Sequence, residues 1–125
     1  MICHIDANNG VPIYEQIGRQ VKFAVANGLL LIGEHVPSVR ELATQLAVNP
    51  NTVARAYREL QQAGVLIPIR GTGLAIAPDA ASKCKSDRQE IIRDRVFSIV
   101  QETQRAGMSL DELLELISNA WTANS

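Results

Sequence analysis

No apolar run in this sequence approaches the roughly 18 to 20 residues that a helix needs to cross a bilayer. The longest, between Gly28 and Gly33, is far shorter. The N-terminus has no basic stretch leading into an apolar core, so no signal peptide is expected and the chain reads as cytoplasmic. Cysteine is scarce: Cys3 and Cys84 lie far apart in segments of low expected order, which excludes a structural disulfide in a reducing compartment. With His4 and His35 they could offer ligands to a metal, but no pair has the C-x-x-C or H-x-x-x-H spacing that prepares a site, so neither metal nor cofactor is expected. Catalytic motifs are absent too. There is no G-x-S-x-G, P-loop or H-E-x-x-H, and neither histidine has an evident carboxylate or nucleophile partner, so no catalytic residue is expected. Charge of one sign is also missing: 12 Lys and Arg face 13 Asp and Glu, for a net −1. That balance excludes a polycation coating nucleic acid, and any anionic partner must meet a local patch. The 125 residues, 46% hydrophobic and 4% aromatic, have room for one domain with a short appendage.

What is present is a succession of capped amphipathic segments. From Pro12 to Asn27, Ile13, Ile17, Val21, Ala24 and Val25 recur at helical spacing, with Glu15, Gln16, Arg19, Gln20 and Lys22 on other faces. Pro12 suits a first turn and Gly28 a stop. After the apolar loop Leu29 to Ile32, Ser38-Val39-Arg40-Glu41 has the form of a capping box opening a short helix, with Val39, Leu42, Ala43 and Leu46 inward. Asn49-Pro50 is a third start signal, an N-cap followed by proline where no amide partner is lost. The helix that follows runs to Gly64, with Val53, Ala56, Tyr57, Leu60 and Ala63 inward and Asn51, Thr52, Arg55, Arg58, Glu59 and Gln62 outward. Two helices so joined form a helix-turn-helix.

Val65 to Ile69 and Leu74 to Ala77 are β-prone segments around Arg70-Gly71-Thr72-Gly73, a hairpin placed as a wing. Pro68 fits only an edge strand. The glycine-rich tip leads into no helix and so is no phosphate cradle. The small and polar residues after Pro78 read as a linker over 79–86. Beyond it, a helix from Asp87 to Arg105 carries Ile92, Val96, Ile99 and Val100 on one side. After a break at Ala106-Gly107, a second capping box at Ser109 opens a last helix with Leu110, Leu113, Leu114, Ile117, Ala120 and Trp121. Two such helices enclose no core of their own. A second copy of the pair, in a C2 homodimer, would cover Ile92, Val96, Ile99, Leu113, Leu114, Ile117 and Trp121; folding back on the first domain is the alternative.

In a helix-turn-helix the second helix enters the major groove by its N-terminal end, where amides and guanidinium groups read base edges. The candidate contacts are therefore Asn49, Asn51, Thr52 and Arg55, with Ser38 and Arg40 toward phosphates and Arg70 with Gly71 at the wing. Asn49 and Ser38 are either contacts or caps, and Arg58 suits a backbone contact or an ion pair equally. An apolar outward face would have indicated a winged helix serving protein contacts; this one is polar. Residues 1–78 hold six basic side chains against five acidic ones, so a single module would bind weakly and two would be needed.

At Val36-Pro37-Ser38-Val39-Arg40-Glu41-Leu42-Ala43, then Val48-Asn49-Pro50-Asn51-Thr52-Val53-Ala54-Arg55-Ala56-Tyr57-Arg58-Glu59-Leu60 and the ending Gly64…Arg70-Gly71-Thr72-Gly73, the chain resembles GntR-type bacterial transcriptional regulators. The resemblance covers about Pro12 to Pro78. It implies a winged-helix DNA-binding domain whose Arg40, Asn51, Thr52 and Gly71 match positions that commonly touch operator DNA. The residues after 78 are too few for the larger effector, lyase-like or aminotransferase-like domains of other branches. The short two-helix tail is similar to the YtrA-like branch, often encoded beside transporter genes. Many relatives have arginine at the positions of Pro50 and Ala54, whereas here it stands at Arg55, and an aromatic residue is usual at Ala75. The latter departure implies a less anchored wing or compensating packing. The fold expected is mainly α with a small β-hairpin: a winged helix over 1–78, a linker over 79–86 and a dimerisation tail over 87–125. The function expected is that of a homodimeric repressor or regulator whose partner is a pseudo-palindromic double-stranded DNA operator. A small-molecule effector has little room within one tail.

Overall fold

The computed structural model describes residues 4–71 and 73–125. Cys3 and the wing-tip Thr72 lie outside the described residues. The elements are α1 (Ile13–Ala26), α2 (Val39–Leu46), α3 (Pro50–Gln62), β1 (Leu66–Ile69), β2 (Gly73–Ile76), α4 (Ala80–Arg105) and α5 (Leu110–Ala123). They form two compact units, Met1–Gln89 and Glu90–Ser125, with the boundary inside α4. Among the described residues, no helix is long and apolar enough to cross a membrane.

In the first unit, Ile17, Val21 and Val25 of α1, Leu42 and Ala43 of α2, and Val53, Ala56, Tyr57 and Leu60 of α3 share one core with Leu66 and Ile76 of the hairpin. Gln16, expected on an outer face of α1, is instead only 5% exposed. Its Nε2 donates to the carbonyls of Asp6 (2.7 Å) and Val11 (2.8 Å) and to Asn9 Oδ1 (3.2 Å), while its Oε1 accepts from the Asp6 amide (2.8 Å). The segment before α1 folds back over this side chain, which satisfies the polar groups that burial would otherwise strand.

The capping box of α2 forms as expected: Ser38 Oγ accepts from the Glu41 amide (3.1 Å) and Glu41 Oε1 from the Ser38 amide (3.3 Å). The helix ends at Ala47 in the left-handed region, φ 56° and ψ 44°, with amides of Ala47 and Val48 closing onto the carbonyls of Thr44 and Ala43. Glycine is the usual occupant of such a position. At the end of α3 it is present: Gly64, φ +77°, returns its amide to Gln61 and Val65 returns its own to Leu60.

β1 and β2 pair antiparallel in the register Leu66 with Ile76 and Pro68 with Leu74. The other side of β2 is taken by the segment 33–36, through the amides of Gly33 and Val36 donating to Ile76 and Leu74 and an isolated bridge from His35 to Ala75. β2 is thus central and β1 keeps a free edge, where Pro68 costs no ladder bond. Ala75 is fully buried, and this third extended segment borders it through the bridge from His35.

The stretch 79–86 is not an irregular linker. From Ala80 it is the first part of α4, because Ala80 and Cys84, one turn apart, are both buried in the core of the first unit. Cys84, read from sequence as a bystander, is a core residue, and burial pushes its thiol pKa up. Just beyond that stretch, Lys22 pairs with Asp87 at 3.0 Å and Arg88 donates to Asn27, which ties the first turns of α4 to the C-terminal part of α1. Lys83 at 3.2 Å from Asp79 holds that carboxyl below the usual range.

The second unit holds the remaining turns of α4 and α5. α4 closes through Gly107, φ +78°, whose amide returns to Gln104 while that of Met108 returns to Thr103. Ser109 Oγ accepts from the Glu112 amide at 3.2 Å, but the Glu112 carboxylate takes the serine hydroxyl rather than its backbone N–H, so half of the expected capping box forms. Leu113 is the one buried large apolar residue of this unit among the described residues.

Candidate nucleic-acid interface

The turn from α2 to α3 is held from both sides. Tyr57 of α3 donates its hydroxyl to the Pro37 carbonyl at 2.7 Å, fixing the approach to α2, and the inner face of α3 is seated in the core. Asn49 Oδ1 accepts from the Asn51 amide at 2.8 Å and the Asn49 carbonyl from the Thr52 amide at 3.0 Å. Asn49 and Ser38 are therefore both used as caps, the former keeping its Nδ2 donors and the latter its hydroxyl proton for an outside acceptor. The side chains of Asn51, Arg40 and Arg70 are exposed and have no internal partner among the described residues; Thr52 is half-buried. Gly71, exposed at φ +82°, lets the backbone of the wing tip turn where a side chain would be strained.

Arg55 is exposed on the outward face of α3, as expected, and it has partners there. Its guanidinium lies 3.7 Å from the centroid of the Tyr14 ring on α1, and its Nε is 3.7 Å from Glu59. Nothing local predicts this, since the partner is 41 positions away on another helix. Arg58, by contrast, is exposed and makes no ion pair among the described residues. Between the start of α2 and β2, a groove of about 260 Å³ is lined by Val36, Ser38, Val39, Glu41, Tyr57 and Leu74 among others.

The second unit bears a different surface. Ile92, Val96, Ile99, Leu114 and Ile117 are exposed and Trp121 is 79% exposed, while Leu113 alone of the expected set is covered within the chain. Phe97, Leu110 and Leu116 are uncovered as well. Phe97 and Leu116 lie outside the stripes read from sequence, because a helix apolar on more than one side blurs its periodicity.

Residues 13–76 match the model of the family described as bacterial regulatory proteins, gntR family. The HTH-type transcriptional repressor YtrA of Bacillus subtilis is 37% identical over 113 residues, 90% of this chain and 87% of that protein. A solved structure described as a transcriptional antiterminator from Listeria monocytogenes is 31% identical, covering 96% of this chain and 90% of its own, with a TM-score of 0.69. YtrA from Sulfolobus acidocaldarius, described as a GntR-family transcription factor, is 29% identical, covering 98% and 99% of the two chains with a TM-score of 0.58. The chain belongs to the gntR family of bacterial regulatory proteins, and is a winged-helix transcriptional regulator with a DNA-binding domain rather than an enzyme.

Proposed function

We propose that the chain represses transcription by binding, as a homodimer, a pseudo-palindromic operator in the cytoplasm, with genes for a transporter as the regulated set. The observation that carries this reading is the exposed first turn of α3, where Asn51 stands free of internal partners beside a helix start capped by Asn49. An amide so presented suits the paired donor and acceptor of an adenine edge. Thr52 suits a phosphate or a thymine methyl, and Arg40 and Arg70 suit phosphates on either side, with Ser38 and Gly71 allowing close approach. The exposed apolar residues of α4 and α5 support pairing of two tails, because monomers rarely leave patches of that kind open. Two recognition helices then address half-sites about one helical turn apart, or a multiple of it. Any small-molecule effector would bind where the two tails meet.

The test is selection of bound duplexes from a random pool by the purified protein at two salt concentrations. Enrichment of a motif with two inverted half-sites is the expected result. Weak binding without enrichment that disappears with salt would overturn sequence-specific recognition and favour a winged helix serving protein contacts.

A further inference from the structure

We infer that the guanidinium delivered to DNA from the recognition helix is that of Arg58, which takes a phosphate, whereas Arg55 is a positioning residue that clamps α3 to α1. The inference rests on the DNA-binding reading and assigns roles within that site. Around the α3 axis, at roughly 100° per residue, Arg58 stands about 20° from Asn51, nearly in line with it two turns on. Arg55 lies about 40° from Asn51 in the other direction, toward the flank of Glu59. On that flank the Arg55 guanidinium lies 3.7 Å from the Tyr14 ring centroid, and its Nε stands 3.7 Å from Glu59 Oε1 as an ion pair. Contact with DNA through Arg55 would compete with both partners for a guanidinium that stays half exposed. Arg58 gives up none, being exposed and unpaired among the described residues. Its height of about 10 Å above Asn51 along the helix sets it against the strand bordering the groove rather than against base edges.

The stack extends beyond one pair. The Tyr14 hydroxyl donates to Glu15 Oε1 at 3.3 Å, and Glu15 is 3.7 Å from Arg19, so the ring that receives Arg55 is itself held on the first turns of α1. Such a receptor fixes the rotation of α3 relative to α1, and with it the direction in which Asn51 points.

The experiment measures binding of a mixed-sequence 30-base-pair duplex against salt concentration, together with thermal melting of the free protein, for the unaltered chain, Arg58→Ala, Arg55→Ala, Arg55→Lys, Tyr14→Leu and the double variant that combines Arg55→Ala with Tyr14→Leu. Arg58→Ala is expected to lower the slope of log K against log salt by about 0.9 per bound protomer and to leave the melting temperature unchanged. Arg55→Ala and Tyr14→Leu are expected to lower the melting temperature, non-additively when combined, and to leave the slope unchanged. Arg55→Lys, which keeps the charge, separates loss of the clamp from loss of charge should Arg55→Ala fold poorly, and is expected to keep the slope. A reduced slope for Arg55→Ala with an unaltered slope for Arg58→Ala would overturn the assignment. Additive melting losses for Arg55→Ala and Tyr14→Leu would overturn the clamp. No salt-dependent duplex binding by the unaltered chain would overturn the DNA-binding reading itself, and the Arg58 role with it.

Discussion

Gln16 shows how much one side chain can organise. It carries four hydrogen bonds to a segment five to ten residues earlier in the chain and is almost fully buried. Replacing it by leucine keeps the volume but strands the Asp6 amide and the Asp6 and Val11 carbonyls. Leaving buried groups of this kind unpaired costs about 1 to 3 kcal/mol each, discounted where water can reach them. Gln16→Leu is therefore expected to destabilise the chain by about 2 kcal/mol in urea unfolding; a loss below about 0.5 kcal/mol would mean that residues 6–11 are not held by this side chain. Helical periodicity placed Gln16 among the outward residues, and rightly so with respect to α1 alone. What it does not contain is the return of the preceding loop over that face. Arg55 is the same case: its position on α3 was legible, but not the Tyr14 ring that meets it. Asn49, Ser38 and Tyr57 were legible because caps and inward stripes are set by neighbours a few residues away.

At the scale of elements, the turn between α2 and α3 contains a stored cost. Ala47 is the one non-glycine residue with positive φ among the described residues, and it sits where α2 must end and the chain must swing into α3. A left-handed alanine costs roughly 1 kcal/mol, part of which glycine would return as lost chain entropy on folding. Ala47→Gly is expected to stabilise the first unit by about 0.5 kcal/mol, read as a higher melting midpoint. A lower midpoint would show that the methyl group makes a contact worth more than the strain. Starts of helices were readable because Ser38, Asn49-Pro50 and Ser109 are local signals. The start of α4 was not, because its first turns bury just Ala80 and Cys84, a line too narrow and too weakly apolar to register as an amphipathic stripe. The consequence is mechanical: the stretch expected to be a linker begins a helix that is held to α1 one residue further on, through Lys22 to Asp87 and Asn27 to Arg88.

For the molecule as a whole, the proposed homodimer would make affinity for DNA and self-association one quantity seen twice. The first 78 residues carry six basic side chains against five acidic ones, too slight an excess for a single module to hold a duplex firmly at physiological salt. The second unit, meanwhile, leaves Leu114, Ile117 and Trp121 exposed. If two tails cover each other, the second winged helix meets its half-site as an intramolecular event, and avidity adds about 10²- to 10⁴-fold without any new contact. Leu114→Asp or Ile117→Asp places a carboxylate in that interface, where burial without a partner is costly. Either variant is expected to sediment as a monomer and to lose operator affinity by about that factor, while its first unit melts as before. Leu113→Asp would not serve, since Leu113 is buried within its own chain and its loss would unfold the unit rather than separate two of them. A Leu114→Asp protein that sedimented unchanged as a dimer would move the interface elsewhere, and one that became monomeric yet bound the operator undiminished would break the link between assembly and recognition.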